Sequence, residues 1–201
     1  VPQVNLIQQS KVSFIGRLTY SFKGKYLLTS NFRRDGSGQF PPNSRWQNFP
    51  SFSLGWRLSQ ENFLKNSTWL NDLKIRGGWG QVGNDKANPY AWYGTVNATS
   101  SYAIGTRSAN GYAPSTQENQ ALKWEVTSQS DIGFDMSMLN RRVNITADYY
   151  DKKTKGLLLE VPIPASVGIP GNSALENAGS IENKGFEFQL MTKNIVSKNF
   201  S

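Results

Sequence analysis

The most constraining feature of this sequence is an unbroken alternation of side-chain character between Leu122 and Met138. Its even-numbered positions are mostly apolar, and its odd-numbered positions are polar, charged or glycine. Because successive side chains of a β-strand point to opposite faces, this period of two predicts a strand with one apolar and one polar face. At 3.3 Å per residue it would run about 55 Å, whereas soluble domains use strands of roughly 3–10 residues. Such strands are typical of a barrel wall with lipid outside and water inside.

The residues that follow this strand predict its pairing partner. A two-residue turn at 140–141 would place Met138 opposite Val143 and Phe134 opposite Ala147. The apolar set then moves from even to odd numbers across the turn, as a loop of even length requires. A slip by one residue would mix the two faces, so the pattern also predicts the register.

Shorter segments with the same period predict further strands, which brings the total to about seven. Their alternating residues lie within 12–22, 26–33, 51–58, 73–79 and 186–190. The sequence therefore predicts an all-β, antiparallel transmembrane β-barrel segment, with residues 1–201 forming part of a single barrel domain.

The connections between these strands alternate between short and long. A tight turn at 23–25 and a modest connection at 59–71, with one helical turn capped by Ser59, contrast with long loops at 35–48, 83–120 and about 157–180. Outer-membrane barrels alternate short periplasmic turns with long external loops in this way. Residues 83–120 are therefore predicted to form a long external loop.

The amino-acid composition argues against several classes of functional site in this segment. The chain has no cysteine and no histidine, so the usual zinc sites, disulfides, cysteine nucleophiles and histidine-based triads are not expected in this segment. The net charge of +8 comes from scattered basic residues rather than a block or stripe, and no nucleic-acid partner is predicted. No apolar run approaches the length of about 18 residues that a membrane-spanning helix needs. Val1 does not begin a secretory leader, so any signal peptide is expected to be removed or to lie upstream.

Two motifs resemble enzyme sites and are better explained by a barrel wall. The segment 78–83 fits G-x-G-x-x-G, but the residues after it do not begin the helix that a dinucleotide site requires. Asp131 and Asp135 share a strand face, yet lie roughly 13 Å apart at 3.3 Å per residue, too far for a catalytic carboxylate pair. They are expected to line the lumen, offset by Lys123, Arg57 or Arg76. We therefore predict neither a catalytic set nor a cofactor or metal site, and no enzyme activity.

Five ordered blocks of the sequence resemble the barrel of the SusC/RagA family of TonB-linked outer-membrane receptors. They are KGKYLLTSNFRRDGSGQF (23–40), RWQNFPSFSLGWRLSQENFL (45–64), WLNDLKIRGGWGQVGN (69–84), LKWEVTSQSDIGFDMSMLNRRVNITADYYDKKTKGLLL (122–159) and NAGSIENKGFEFQL (177–190). Residues 85–118 fall outside the resemblance.

The resemblance implies a 22-stranded barrel with an N-terminal plug in the outer membrane of a Gram-negative bacterium. Such a receptor imports a glycan, oligosaccharide or peptide, is driven through TonB, and is closed by a SusD-like surface lipoprotein. The plug domain, the TonB-contacting segment and the closing strands are not expected within this sequence, so no residue here is assigned to TonB. The alternative is a soluble β-sandwich carbohydrate-binding module, whose apolar face would be buried against a second sheet.

Aromatic residues supply the candidate contact sites. Four lie in the long polar loop and are predicted to contact ligand or the lipoprotein lid, with packing inside the loop as the alternative: Trp92, Tyr93, Tyr102 and Tyr112. Five lie near strand ends on the outward face and are predicted at the membrane interface, where amphipathic rings are favoured. These are Tyr20, Tyr26 and Trp56 at the periplasmic rim, and Trp79 and Trp124 at the external rim. The segment 33–36 is predicted to form the external end of a strand that is stabilised by an ion pair.

Overall fold

The computed structural model describes residues 9–88 and 91–194 and contains nine strands. They are β1 Lys11–Phe22, β2 Tyr26–Ser37, β3 Trp46–Arg57, β4 Leu70–Asn84, β5 Thr95–Ile104, β6 Arg107–Thr116, β7 Glu125–Met138, β8 Val143–Pro162 and β9 Ser173–Thr192. Three short 3-10 helices lie in the connections, at Leu58–Gln60, Ala165–Val167 and Pro170–Asn172. In the described part of the chain, no helix is long and apolar enough to cross a membrane.

Seven of the strands form one antiparallel sheet in the order β1-β2-β3-β4-β7-β8-β9. We refer to this sheet as the wall. The seven predicted strands are therefore confirmed, and neighbours in sequence are neighbours in space except where β5 and β6 intervene. These two strands pair only with each other, as a hairpin inside the predicted loop 83–120.

The predicted register is confirmed position by position. Met138 lies opposite Val143 and Phe134 opposite Ala147. The residues of the turn, Asn140 and Arg141, have φ of 58° and 61°, as a tight turn that matches the strand twist requires. At the turn between β1 and β2, Gly24 has φ of 67°, a conformation that glycine adopts without a steric penalty.

Several strands run further than the sequence pattern predicted. The loop between β2 and β3 is confined to 38–45 instead of 35–48, and the excursion at 157–180 shrinks to 163–172. In contrast, β7 begins at Glu125, three residues later than predicted. The backbone hydrogen bonds of a neighbouring strand, not the local side chains, decide where each strand ends.

The prediction that Ser59 caps a helical turn is wrong. The 3-10 helix begins at Leu58, its N-cap residue is Arg57, two residues before Ser59, and no side chain bonds to the exposed backbone N–H groups. Ser59 lies inside the helix and donates its hydroxyl to Asp72 Oδ1 at 2.6 Å. It therefore fastens this connection to the start of β4.

The two faces of the wall differ as predicted. Large apolar side chains are exposed along one face, and no second sheet covers that face within residues 9–88 and 91–194. They include Phe14, Leu18, Phe52, Leu54, Ile132, Phe186, Phe188 and Leu190. A β-sandwich would have to bury these residues, so the alternative of a soluble sandwich module is wrong.

Candidate functional site

The three long connections lie at the same edge of the wall, which we call the loop end. They are the segments 38–45, 85–124 and 163–172. The connections at 23–25, 58–69 and 139–142 lie at the opposite edge, the turn end. The buried apolar core of the described chain is found at the loop end, in a cluster of Phe40, Phe49, Ala87, Trp92, Leu122 and Trp124.

Trp124 is the centre of this cluster. Its ring lies 5.1 Å from the ring of Phe40 and 5.5 Å, edge-on, from that of Phe49. The indole N–H donates to the carbonyl oxygen of Arg45 at 3.2 Å, and Ser44 donates its hydroxyl to the carbonyl of Leu122. The cluster therefore joins the segment 38–45 to the end of the long excursion.

Two predictions about tryptophan are corrected by this cluster. Trp124 is 3% exposed, so its placement at the lipid interface is wrong. The strand β7 starts only at Glu125, and the alternation that would have turned Trp124 outward does not apply to it. Trp92 is 6% exposed and its ring stacks on Tyr93 with centroids 3.7 Å apart. Trp92 is a packing residue, as the alternative interpretation held, and not a surface contact.

The other three loop aromatics lie at the surface. Tyr93 is exposed, Tyr102 is 56% exposed and Tyr112 is 78% exposed. Tyr102 pairs with Ala109, whereas the residue before Tyr112 pairs with Ser100. Since side chains alternate along a strand, Tyr102 and Tyr112 project from opposite faces of the β5–β6 hairpin. They cannot form one stacking platform together.

A cavity of about 500 Å³ lies between the base of this hairpin and the loop ends of β8 and β9. Its polar lining consists of Asn88, Thr95, Ser115, Thr116, Gln117, Glu160 and Ser173. Thr95 and Thr116 share a hydroxyl hydrogen bond of 2.7 Å, and Ser173 donates to Glu160 Oε2 at 3.2 Å. The lining combines hydroxyl and amide groups with the carboxylate of Glu160, which suits a ligand that is rich in hydrogen-bonding groups and carries no negative charge. Sequence analysis missed this cavity because the segments that build it are far apart in the chain.

The polar face of the wall contains a network built around Arg76. Its Nε lies 3.1 Å from Asp135 Oδ2, and its guanidinium reaches Asp148 Oδ2 at 2.7 Å. Asp135 also accepts the hydroxyl proton of Thr146 at 3.2 Å. The prediction that Arg76 offsets a lumen carboxylate is confirmed for Asp135. The Arg76 network therefore joins β4, β7 and β8 across the polar face of the wall.

The arginine reaches its second partner across a glycine. Gly133 lies opposite both Arg76 and Asp148, and a methyl group there would lie 2.7 Å from the carbonyl oxygen of Ala147 and closer still to the Asp148 carboxylate. We expect Gly133→Ala to destabilise the wall by about 1–3 kcal/mol, because the backbone carbonyl cannot move away. Gly16→Ala is the matched control, since nothing lies within 4 Å of its added methyl group.

The measurement is the midpoint temperature of unfolding of the detergent-solubilised receptor that carries this segment. Unfolding is detected by the heat-dependent change in gel mobility. The Gly133 variant should unfold at lower temperature than the Gly16 variant. Equal midpoints would show that the Arg76 network tolerates a side chain at this position.

Three aromatics predicted at the periplasmic rim lie close to the turn end. Tyr26 and Trp56 pair across β2 and β3, and their rings stack 6.1 Å apart. The Tyr26 hydroxyl and the Trp56 indole donate to Glu61 Oε1 at 2.8 Å and 3.1 Å. Lys25 donates to Glu61 Oε2 at 2.9 Å, and these three donors, Lys25 foremost, lower the pKa of the Glu61 carboxyl from 4.5 to about 2. Tyr20 lies exposed on the same apolar face.

At the other end of the apolar face the prediction was incomplete. Trp79 is half-buried and its ring lies 5.6 Å from that of Phe52. Trp46, which was assigned to a loop, instead begins β3, stacks on Phe14 at 6.0 Å and lies under the guanidinium of Arg34. Position 46 is even, as are the outward-facing positions of β3. This parity was the signal available in the sequence.

The remaining motifs have structural roles. The Nε of Arg33 lies 2.9 Å from the buried carboxylate of Asp35, which confirms the predicted ion pair, although β2 continues beyond it to Ser37. The G-x-G-x-x-G segment lies inside β4, where the ring of Phe49 occupies the space that a side chain on Gly83 would need. No helix begins at this glycine, so the segment offers no phosphate site.

Comparison with known proteins agrees with this architecture. A family model described as "TonB dependent receptor-like, beta-barrel" matches residues 3–200. The chain is 40% identical over 194 residues to the TonB-dependent receptor SusC of Bacteroides thetaiotaomicron, covering 94% of this chain and 19% of that protein. It is 39% identical over 189 residues to the TonB-dependent receptor P39 of Formosa agariphila, covering 94% of this chain and 18% of the relative.

Among solved structures, the RagAB peptide transporter is similar, with a TM-score of 0.82 and 28% identity over 95% of this chain and 20% of that one. The chain thus spans about one fifth of the length of the curated relatives it matches.

Proposed function

Because this chain belongs to the TonB-dependent receptor family of β-barrels, as a SusC/RagA-like barrel segment, we propose that it is part of a nutrient importer of the Gram-negative outer membrane. One observation carries the proposal: a wall of seven strands with an uncovered apolar face, a charged and hydrogen-bonded polar face, and all its long connections at one end. Such a wall is stable with lipid on one side and an aqueous lumen on the other. Movement of the nutrient is driven through TonB, by parts of the receptor outside this segment.

The aromatic side chains near the two ends of the apolar face support a membrane setting. Tyr26 and Trp56 direct their polar groups to Glu61 while their rings continue the apolar face. Tyr20, Trp79 and Trp46 are placed on the same face. We assign Tyr20, Tyr26 and Trp56 to the periplasmic interface, and Trp79 and Trp46 to the external one.

The nutrient is a glycan, an oligosaccharide or a peptide, captured at the loop end together with a SusD-like surface lipoprotein. The RagAB structure is named as a peptide transporter, and SusC is named as a TonB-dependent receptor. The cavity, lined by hydroxyl and amide groups and the Glu160 carboxylate, favours a ligand that is rich in hydrogen-bonding groups and carries no negative charge. Tyr112, the most exposed of the loop aromatics, extends from the hairpin and offers a contact for the lipoprotein.

The test is made in the bacterium with the whole receptor. Nutrient uptake should cease when TonB is deleted or the inner-membrane proton gradient is collapsed. Tyr112→Ala should reduce pull-down of the lipoprotein by roughly tenfold, since a few aromatic anchors usually dominate an interface. Tyr20→Ala, at the opposite end of the wall, is the matched control and should leave pull-down unchanged.

Barrel insertion is followed by heat-dependent gel mobility in every variant. Uptake that persists without TonB would overturn the proposed mechanism. Unchanged pull-down and uptake in the Tyr112 variant would show that the hairpin is not the contact surface.

A further inference from the structure

The cavity at the base of the β5–β6 hairpin has two sides, each of which carries hydroxyl groups. On one side, Thr95 and Thr116 pair with each other where the hairpin begins and ends. On the other side, Glu160 lies near the loop end of β8, and Ser173 is the first residue of β9. These four side chains provide most of the hydrogen bonds recorded within the lining.

Asn119 holds the two sides of the cavity together. Its backbone N–H donates to the carbonyl oxygen of Trp92 at 3.1 Å, next to the cavity-lining residue Ala91. Its side-chain amide donates to the carbonyl oxygen of Leu175 in β9 at 2.9 Å. The cavity is therefore pre-formed, and its volume of about 500 Å³ is in the range of small-ligand sites. This volume suits the end of a chain rather than a whole oligomer.

The hydroxyl protons of the lining are already used in hydrogen bonds within the protein. Thr116 donates to the carbonyl oxygen of Tyr93 at 2.9 Å and accepts the backbone N–H of Thr95 at 3.0 Å. Because Thr116 has only one hydroxyl proton, Thr95 is the donor in the 2.7 Å hydrogen bond between the two hydroxyls. Ser173 gives its proton to Glu160 Oε2 at 3.2 Å. The hydroxyl oxygens of Thr95 and Ser173 therefore offer only lone pairs to a ligand.

Glu160 adds a negative charge to this set of acceptors. It lies opposite Leu175 and two positions from Leu158, and both leucines pack against the buried cluster. Since these positions share a face of the sheet, Glu160 is on the side of the cluster and the cavity. Within residues 9–88 and 91–194, no lysine or arginine forms an ion pair with Glu160. The described chain thus leaves its charge unbalanced.

A primary ammonium group has the chemistry that matches this site. It carries one positive charge and three N–H donors, and it has no acceptor. A sugar hydroxyl brings an acceptor together with its donor, and that acceptor would face the lone pairs of Thr95, Ser173 and Glu160. A phosphate or carboxylate would be repelled by Glu160. The site therefore favours a ligand whose end is an ammonium.

The rest of the lining favours a peptide as the carrier of this ammonium. Asn88 and Gln117 have side-chain amides whose N–H groups can donate to the first peptide carbonyl. Apolar side chains complete the lining and suit the side chain of an amino acid. These residues are Ala91, Pro170, Ala174 and Leu175.

We propose that the cavity binds the amino terminus of a peptide nutrient and that Glu160 is the residue that selects for its positive charge. The inference rests on the proposed import function and narrows its ligand to a peptide. The ammonium donates to Glu160 and to the neighbouring hydroxyl oxygens, while the first side chain of the peptide contacts the apolar part of the lining.

The experiment measures the binding of two probes to the detergent-solubilised receptor by isothermal titration calorimetry. The probes are tetra-alanine amide with a free amino terminus and the same peptide acetylated at its amino terminus. The wild-type receptor should bind the free peptide at least about tenfold more tightly, because hydrogen bonds to charged groups are stronger than those between neutral groups.

Glu160→Gln should remove this preference. It should weaken binding of the free peptide by at least about tenfold and leave binding of the acetylated peptide unchanged. Glu176→Gln is the matched control, because Glu176 follows the cavity-lining Leu175 and therefore projects from the opposite face of β9. The control variant should keep the wild-type preference.

Equal binding of the two peptides to the wild-type receptor, or an equal loss in the Glu160 and Glu176 variants, would overturn the proposal. Binding of a glucosamine tetramer that is as tight as that of the free peptide, and equally dependent on Glu160, would overturn the assignment to a peptide. The comparison of the two peptides on the wild-type receptor needs no variant, so it decides the question even if a variant fails to assemble. Binding in detergent requires neither TonB nor a proton gradient, and a negative result is therefore distinct from a failure of the import function.

Discussion

Trp124→Ala is expected to open the loop end of the wall while the wall itself remains assembled. Truncation of a fully buried tryptophan costs about 3–5 kcal/mol, because it removes apolar contacts and leaves a cavity. Here the lost contacts are those with Phe40 and Phe49, together with the hydrogen bond to Arg45. The segments 38–45 and 85–124 should then separate.

Limited trypsin digestion of the receptor in outer-membrane fragments measures this opening. Cleavage within 85–124 should be at least about tenfold faster in the Trp124 variant, since cleavage follows the population of the opened state. Trp69→Ala is the matched control, because Trp69 is 53% exposed and its truncation leaves no cavity. Equal digestion of the two variants would show that the cluster does not hold the loops together.

Phe134→Arg is expected to impair assembly of the barrel. Phe134 lies on the apolar face in the row of Ile75, Ala147 and Phe188, well inside the apolar band. An arginine on the lipid side near the middle of the bilayer costs about 2–4 kcal/mol. The amount of heat-modifiable receptor in the outer membrane should fall accordingly.

Gln129→Arg provides the comparison within the same strand. Gln129 is exposed on the polar face of β7, so an arginine there remains in water and should be tolerated. If the two variants accumulate equally in the outer membrane, the assignment of lipid and lumen faces is wrong.

Much of the wall could be predicted because its signal is local. The alternation in 122–138 fixes the two faces of a strand, and the turn at 140–141 fixes its partner. Both follow from the period of two, which needs no knowledge of distant residues. The ion pair between Arg33 and Asp35 is local in the same sense, because positions two apart on a strand share a face.

The β5–β6 hairpin was missed because it lacks a strong apolar alternation. Its strands meet at Gly105, whose φ is 60°, and a glycine in a short turn was the available signal. The ends of β2, β3, β8 and β9 were also misplaced. The strict alternation breaks at those ends, as in the run of Leu157, Leu158 and Leu159 in β8, while pairing with a neighbouring strand keeps them extended.

By itself the sequence determined the strand faces, the register across the tight turns and the family of the wall, because each depends on patterns within a few tens of residues. Only the tertiary structure decided the roles of Trp92 and Trp124, whose burial requires segments far apart in the chain to meet. The same holds for the cavity at the hairpin base. The sequence around an aromatic residue does not show which distant segments will pack against it. Its role is therefore decided by the contacts that form on folding.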